Sequence, residues 1–180
     1  LRRWSDPRVD YHETHETIEI KTARTFMPSG KVVTVPNYSI NKVSPRSTFK
    51  WPAYKNVRQT VVSHVGLTQG SVIEFEWQRN VSAKFCSFFG KELRLRNVDP
   101  VLELTVNVQH PKSSPFYHKL LNEQGVQFKD THGTEKGMAN HTWVFTKLAG
   151  ERQEDRTPRW QKHSPRLLLS TIKSHDQFFK

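Results

Sequence analysis

The chain has one cysteine, no long apolar run and no cluster of same-sign charge. With Cys86 alone, no internal disulfide can form, and the redox compartment is left open because large secreted domains also fold without bridges. No apolar stretch approaches the ~20 residues that a membrane-spanning helix requires. Basic residues are in excess, 28 Lys and Arg against 17 Asp and Glu, for a net charge of +11. Yet no run of five basic residues occurs, and Lys21, Arg24, Lys31, Lys50, Arg58 and Lys91 are scattered. A dispersed, solvated basic surface is the reading this favours over a nucleic-acid patch. Sustained amphipathic helices are also missing up to residue 150. The sequence opens on Leu1-Arg2-Arg3-Trp4, without Met or an apolar signal core, as if excised from something longer.

What is present is β-branched and aromatic. Eleven Phe, five Trp and four Tyr sit among short alternating runs, and such residues suit strands. A chain of 180 residues buries roughly 70% of its unfolded surface, so it can hold a core without metal or disulfide. Ile18 and Ile20 alternate with Glu19 and Lys21, then Met27-Pro28-Ser29-Gly30 signals a turn before Val32, Val33 and Val35. Residues 18–25 and 31–35 therefore predict a hairpin. Residues 36–56, with Pro36, Pro45 and Pro52, read as a long loop whose Tyr38, Phe49, Trp51 and Tyr54 either pack over a sheet edge or line a binding surface. Packing is the commoner outcome for such residues.

Gly66-Leu67-Thr68-Gln69-Gly70-Ser71 precedes Ile73, Phe75 and Trp77, which alternate with Glu74 and Glu76. Joined to the β-branched run 57–65, this predicts a second hairpin with those three apolar residues inward and the two glutamates in water. Phe85, Phe88 and Phe89 form a short apolar knot, followed by Leu93 and Leu95. After Pro100, Leu102, Leu104, Val106 and Val108 alternate without interruption against polar residues until His110-Pro111. Residues 116–121 read as a helical turn or loop, Val126 and Phe128 as strand residues, and Gly133 and Gly137 as a mobile corner. His141 to Leu148 completes the set. Eight or nine short strands separated by turns predict an all-β, antiparallel β-sandwich. The expected division is a sandwich over 1–150, a linker with a short strand (Leu167-Leu168-Leu169) over 151–172, and the start of a helix over 173–180. There Ser174 and Gln177 match a capping box.

The chemistry-bearing residues are sparse in pattern. Cys86 with His110, His118, His132 or His141 and then Asp155 gives a formal Cys-His-Asp order. However, Lys84-Phe85-Cys86-Ser87-Phe88 supplies no helix start and one cation, so an inert, packed thiol is the better reading. His12 and His15 would share a helix face but fall on opposite faces of a strand, which argues against a metal site. Gly66 and Gly70 lead into a strand rather than a helix, unlike a phosphate loop. No catalytic, metal or cofactor site is assigned, and the binding residues stay open.

Several tracts together resemble a known family. Tyr54-Lys55-Asn56-Val57-Arg58-Gln59, the run Gly66 to Phe75, Asp99-Pro100-Val101 through Val108 with Pro111, and Asn140-His141-Thr142-Trp143 occur in the order found in the bacterial domain-of-unknown-function family 3857. Pro165 to Thr171 and Ser174 to Phe178 resemble its junction with a transglutaminase-like domain, so the resemblance spans about residues 15–180. It implies a β-sandwich without known catalysis, in proteins usually exported to the periplasm or cell envelope. The catalytic Cys, His and Asp would belong to the following domain, and no functional residues carry over. The expected role is to position or present protein or peptide substrate to that adjoining domain. The alternative is a stand-alone glycan- or polymer-binding module using exposed Trp51, Tyr54 or Trp160.

Overall fold

The computed structural model describes residues 2–48, 50–84, 88–152 and 163–174. Cys86, Asp155, Trp160, Phe49 and most of the capping box at 174–177 lie outside them. The fold is all-β and antiparallel, a sandwich architecture assembled as two compact units, Leu1–Cys86 and Ser87–Lys180. Twelve strands are present among the described residues, more than the eight or nine expected, because several are too short to leave a periodic trace.

The first unit contains β1 (Arg8–His12), β2 (Glu16–Phe26), β3 (Val32–Thr34), β4 (Ile40–Val43), β5 (Val57–Val62) and β6 (Val72–Val81). They form two three-stranded sheets, ordered β1-β5-β4 and β3-β2-β6. Ala23, Val35 and Val62 form the buried cluster of this unit, with Ile20, Ile40 and Phe75 packed against them. The expected hairpin of β2 with β3 is there, Phe26 opposite Val32.

The second expected hairpin is not. Both edges of β5 are already occupied, by β1 and β4, so β6 has no edge there to join. It crosses instead to the other sheet and pairs along β2 from Glu16↔Val81 to Phe26↔Val72. Gly66 (φ 74) and Gly70 (φ 84) carry this crossing in a backbone region that side chains disfavour. Ile73 and Phe75 are half-buried, while Trp77 is exposed and lies beneath the Arg79 guanidinium at 5.4 Å. Glu74 is not idle in solvent either; Arg24 holds it at 2.6 Å.

The second unit contains β7 (Gly90–Arg94), β8 (Val101–Pro111), β9 (Tyr117–Leu121), β10 (Gln127–Glu135), β11 (Met138–Leu148) and β12 (Arg166–Ser170). Its sheets run β10-β11-β8 and β7-β12-β9. Residues 117–121, which the sequence presents as a turn or loop, are thus a strand, and the apolar Leu run expected in a linker is the middle strand of a sheet. The leucine run still alternates in burial, Leu167 and Leu169 facing the core and Leu168 half-buried on the other face. Leu167 sits between Leu93 and Leu120 in register and is fully buried. With Trp143, Phe145, Leu148, Leu95 and Leu169 it forms the core, each full burial being worth roughly 1.5–3 kcal/mol.

Gly137 does not loosen this unit. Lys136 (φ 49) and Gly137 (φ 79) form a two-residue hairpin turn whose left-handed pair matches strand twist. Gly133 lies within β10, opposite Asn140. β8 is the strand that the alternation predicts, but its inward phase slips: Val101 packs on the core and Leu102 is 86% exposed. The slip falls where β11 takes Lys147 through φ 53, turning Leu148 and its partner Val101 inward.

Candidate metal centre

The tight turn at Lys136-Gly137 sets the register of β10 on β11. With Glu135 opposite Met138, the pairing runs back to His132 opposite His141. On the other edge of β11, β8 brings His110 opposite Ala139, one step along the same face from His141, whose own partner there is Val108. The two-residue period then places His132, His141 and His110 on the face that also carries Trp143. His118 reaches them from β9 in the facing sheet, its ring centroid 5.0 Å from Trp143, 5.8 Å from His132 and 5.9 Å from His141. Phe116 closes one side, 4.9 Å from His110 and 5.1 Å from His141. Four histidines that lie far apart in the chain thus cap one end of the apolar core.

Their nitrogens form a chain. His110 Nδ1 lies 2.9 Å from the Pro111 carbonyl, and its Nε2 lies 3.2 Å from His141 Nε2. His141 Nδ1 is 2.8 Å from His132 Nδ1, and His132 Nε2 is 3.1 Å from Asp130 Oδ1. A carbonyl only accepts, so His110 Nδ1–H donates to Pro111 and Nε2 of the same neutral ring accepts from His141 Nε2–H. His141 Nδ1 then accepts from His132 Nδ1–H. With all three rings neutral their three protons are used, and His132 Nε2 turns a lone pair to a carboxylate. Two acceptors at that distance require a positive species between them or on one of them, either a proton or a metal ion. The pKa of the middle ring, His141, is lowered first by burial, then by His132, His110 and His118, with Asp130 pulling the other way.

His118, Asp130 and His132 offer one ligand atom each, all within 4.8 Å of one another and exposed. Among the described residues this is the grouping of three such side chains capable of holding an ion. His12 and His15 also meet, because a turn rather than a strand separates them; their rings stack at 4.6 Å. Among the described residues they gather no third ligand into a comparable group. All four clustered histidines stand out in the sequence, but nothing in their order joins them. The available signal is the spacing of His132 and His141 about the midpoint of Lys136-Gly137, once those two residues are read as a hairpin turn.

Other surfaces among the described residues are concave as well. In the second unit, Arg96, Asn122, Glu123, Gln124, His163 and Pro165 line a polar cleft of about 590 Å³. Beside it Glu151 accepts from Ser164 Oγ at 2.6 Å and lies 2.7 Å from His163 Nε2. Burial pushes the Glu151 carboxyl up, but Ser164, Arg94 and His163 together hold it below its ordinary value. In the first unit, Trp51 and Tyr54 border a groove of about 400 Å³ with Lys50, Lys55 and Arg58. Both rings are open to solvent, 63% and 55% exposed, rather than packed over a sheet edge.

This fold defines a β-sandwich domain of the class whose function is unassigned. The chain belongs to the family DUF3857, a domain of unknown function with a solved structure, whose profile matches residues 1–151. No curated protein sequence matches it. Among solved structures it is similar to a crystal structure described as a "putative protease" from Parabacteroides distasonis ATCC 8503, at a TM-score of 0.86 and 24% identity. The match covers 95% of this chain and 33% of that one, so the chain spans about a third of the other protein's length. At this identity the likeness is one of fold. No described helix is long and apolar enough to cross a membrane.

Proposed function

We propose that this chain is a non-catalytic β-sandwich region that positions or presents protein or peptide substrate to an adjoining transglutaminase-like domain in the bacterial periplasm or cell envelope. The observation that carries the reading is the coverage: nearly the whole chain superposes on one third of a longer protein whose description names a hydrolytic activity. A family without an assigned activity, occupying part of a longer chain, fits an accessory role. The reading is tested in the full-length protein by NMR relaxation and by peptide kinetics. A shared tumbling time, and a raised KM with little change in kcat when this region is removed, are expected. Independent tumbling with unchanged KM refutes it.

A second reading has its own observation. Polymer-binding modules need aromatic faces in the open, and Trp51 and Tyr54 are both exposed beside a groove carrying Lys50, Lys55 and Arg58. Calorimetric titration with peptidoglycan fragments and with a neutral oligosaccharide decides it. Binding that disappears in Trp51→Ala favours a glycan-binding module; indifference to both Trp51→Ala and Tyr54→Ala removes it.

A further inference from the structure

We propose that His118, Asp130 and His132 form a binding site for a divalent transition-metal ion of the zinc class. The inference stands apart from the substrate-presentation reading and does not depend on it.

Three observations converge. The first is geometric: His132 Nε2 and Asp130 Oδ1 face each other at 3.1 Å, two ligand atoms brought together by one strand. The second is His118, arriving from the facing sheet, which brings a third donor within 4.8 Å of the other two. Ligands about 2.0–2.2 Å from a tetrahedral ion lie roughly 3.4 Å apart, so rotations of exposed side chains suffice to close the set. The third is the support behind His132. A metal-bound histidine characteristically donates its remaining N–H to a fixed acceptor, which sets its tautomer and ring plane. With an ion on His132 Nε2, its Nδ1–H would donate to His141, His141 to His110 and His110 to the Pro111 carbonyl, along a chain of contacts of 2.8, 3.2 and 2.9 Å that runs across three strands. Every imidazole in it is oriented by the next.

The donor set selects the ion. Two imidazoles with one carboxylate suit Zn²⁺ and its first-row neighbours, whereas Ca²⁺ and Mg²⁺ favour all-oxygen ligation. Three protein ligands leave at least one coordination position for water or an exogenous donor, and exposure of all three side chains leaves the ion reachable. Asp130 offsets part of the ion's charge. His141 and His110 act as positioning residues rather than ligands.

The test uses the whole chain, stripped with a chelator and titrated with Zn²⁺ by calorimetry, with Co²⁺ absorption as a second readout. One ion per chain and a rise in Tm on loading are expected. His118→Ala and His132→Ala should each weaken affinity by more than about 100-fold, and His141→Phe by about 10- to 100-fold, the range typical of outer-shell partners. The double variant His12→Ala/His15→Ala should bind as the parent does. Far-UV circular dichroism checks each variant, and His132→Asn and His118→Asn replace any alanine variant whose strand spectrum changes. Absence of stoichiometric binding overturns the proposal. So does affinity that is unchanged in the His118 and His132 variants, or lost only in the His12/His15 double variant.

Discussion

Leu102 and Val106 are equivalent in the sequence, four residues apart on one alternating strand, yet the structure separates them sharply. Leu102 is 86% exposed, whereas Val106 packs on the second unit's core and stands opposite Trp143, itself 2% exposed. Placing aspartate at each position therefore measures the phase slip near Lys147. At Val106 the change forfeits part of the roughly 1.5–3 kcal/mol that full burial of valine is worth, about 1 kcal/mol for a half-buried side chain. It also sets a polar group against apolar neighbours, which costs about 1–3 kcal/mol in protein mutational series. The sum is roughly 2–4 kcal/mol. With a urea m-value of roughly 2 kcal/mol/M, Val106→Asp lowers the midpoint by about 1–2 M, read by circular dichroism and by tryptophan fluorescence. Leu102→Asp, an exposed substitution, stays within about 0.5 kcal/mol. Equal shifts for both variants, or an unmoved midpoint for Val106→Asp, would refute the slip and the packing that rests on it.

Gly150 should resist substitution. A Cβ there would lie 2.6 Å from the Val98 carbonyl oxygen and 3.3 Å from Pro100 N, so Gly150→Ala forces backbone apart and destabilises by about 1–3 kcal/mol in the same urea assay. The buried His64, 3.3 Å from Thr25 Oγ1, predicts a pH dependence. Burial lowers its pKa from 6.5, with Asp6 opposing, so the unfolded chain takes up the proton first as pH falls. The stability this group contributes is full above about 6.5 and declines as pH drops toward the folded value. Melting curves from about pH 7.5 to about 5.5 should fall for the parent and fall less for His64→Gln. The Arg24–Glu74 pair is short but 43% and 39% exposed, so Glu74→Gln should change stability by under about 1 kcal/mol, and by less in high salt.

The legible parts of this chain are those that local physics decides. β2 with β3, the long β8 and the β11 run all follow from period-two alternation bounded by turn residues, and the all-β class follows from them. The crossover at Gly66–Gly70 is hidden from the sequence for a physical reason. Two neighbouring β-branched runs around a glycine turn look alike whether they pair with each other or join different sheets. What decides is whether β5 has a free edge, and that depends on Arg8–His12 and Ile40–Val43, far away in sequence. β9 is hidden for a related reason. Tyr117-His118-Lys119 carries no alternation, and it becomes a strand because Leu167 to Leu169 present an edge to it.

The histidines combine both kinds of information. The pairing of His132 with His141 is local, set by a two-residue turn, and a stricter reading of Lys136-Gly137 finds it from sequence. Bringing in His110 needs the pairing of β8 with β11, and His118 needs the facing sheet. Each further histidine thus depends on a longer-range contact than the last, and the two sides of the metal site differ accordingly. The half built on the β10–β11 hairpin, Asp130 and His132, is held by the turn itself. His118 is held only by packing of one sheet on the other. Loosening the core beneath it, as Leu169→Ala would at a residue paired with His118 and 4% exposed, should weaken the ion's grip while leaving the hairpin's register intact. Amide exchange across Asp130 to Trp143 that stays protected, together with a lowered Zn²⁺ affinity, is the expected pair of results. Unchanged affinity in a chain shown to be destabilised would mean that His118 contributes nothing to holding the ion.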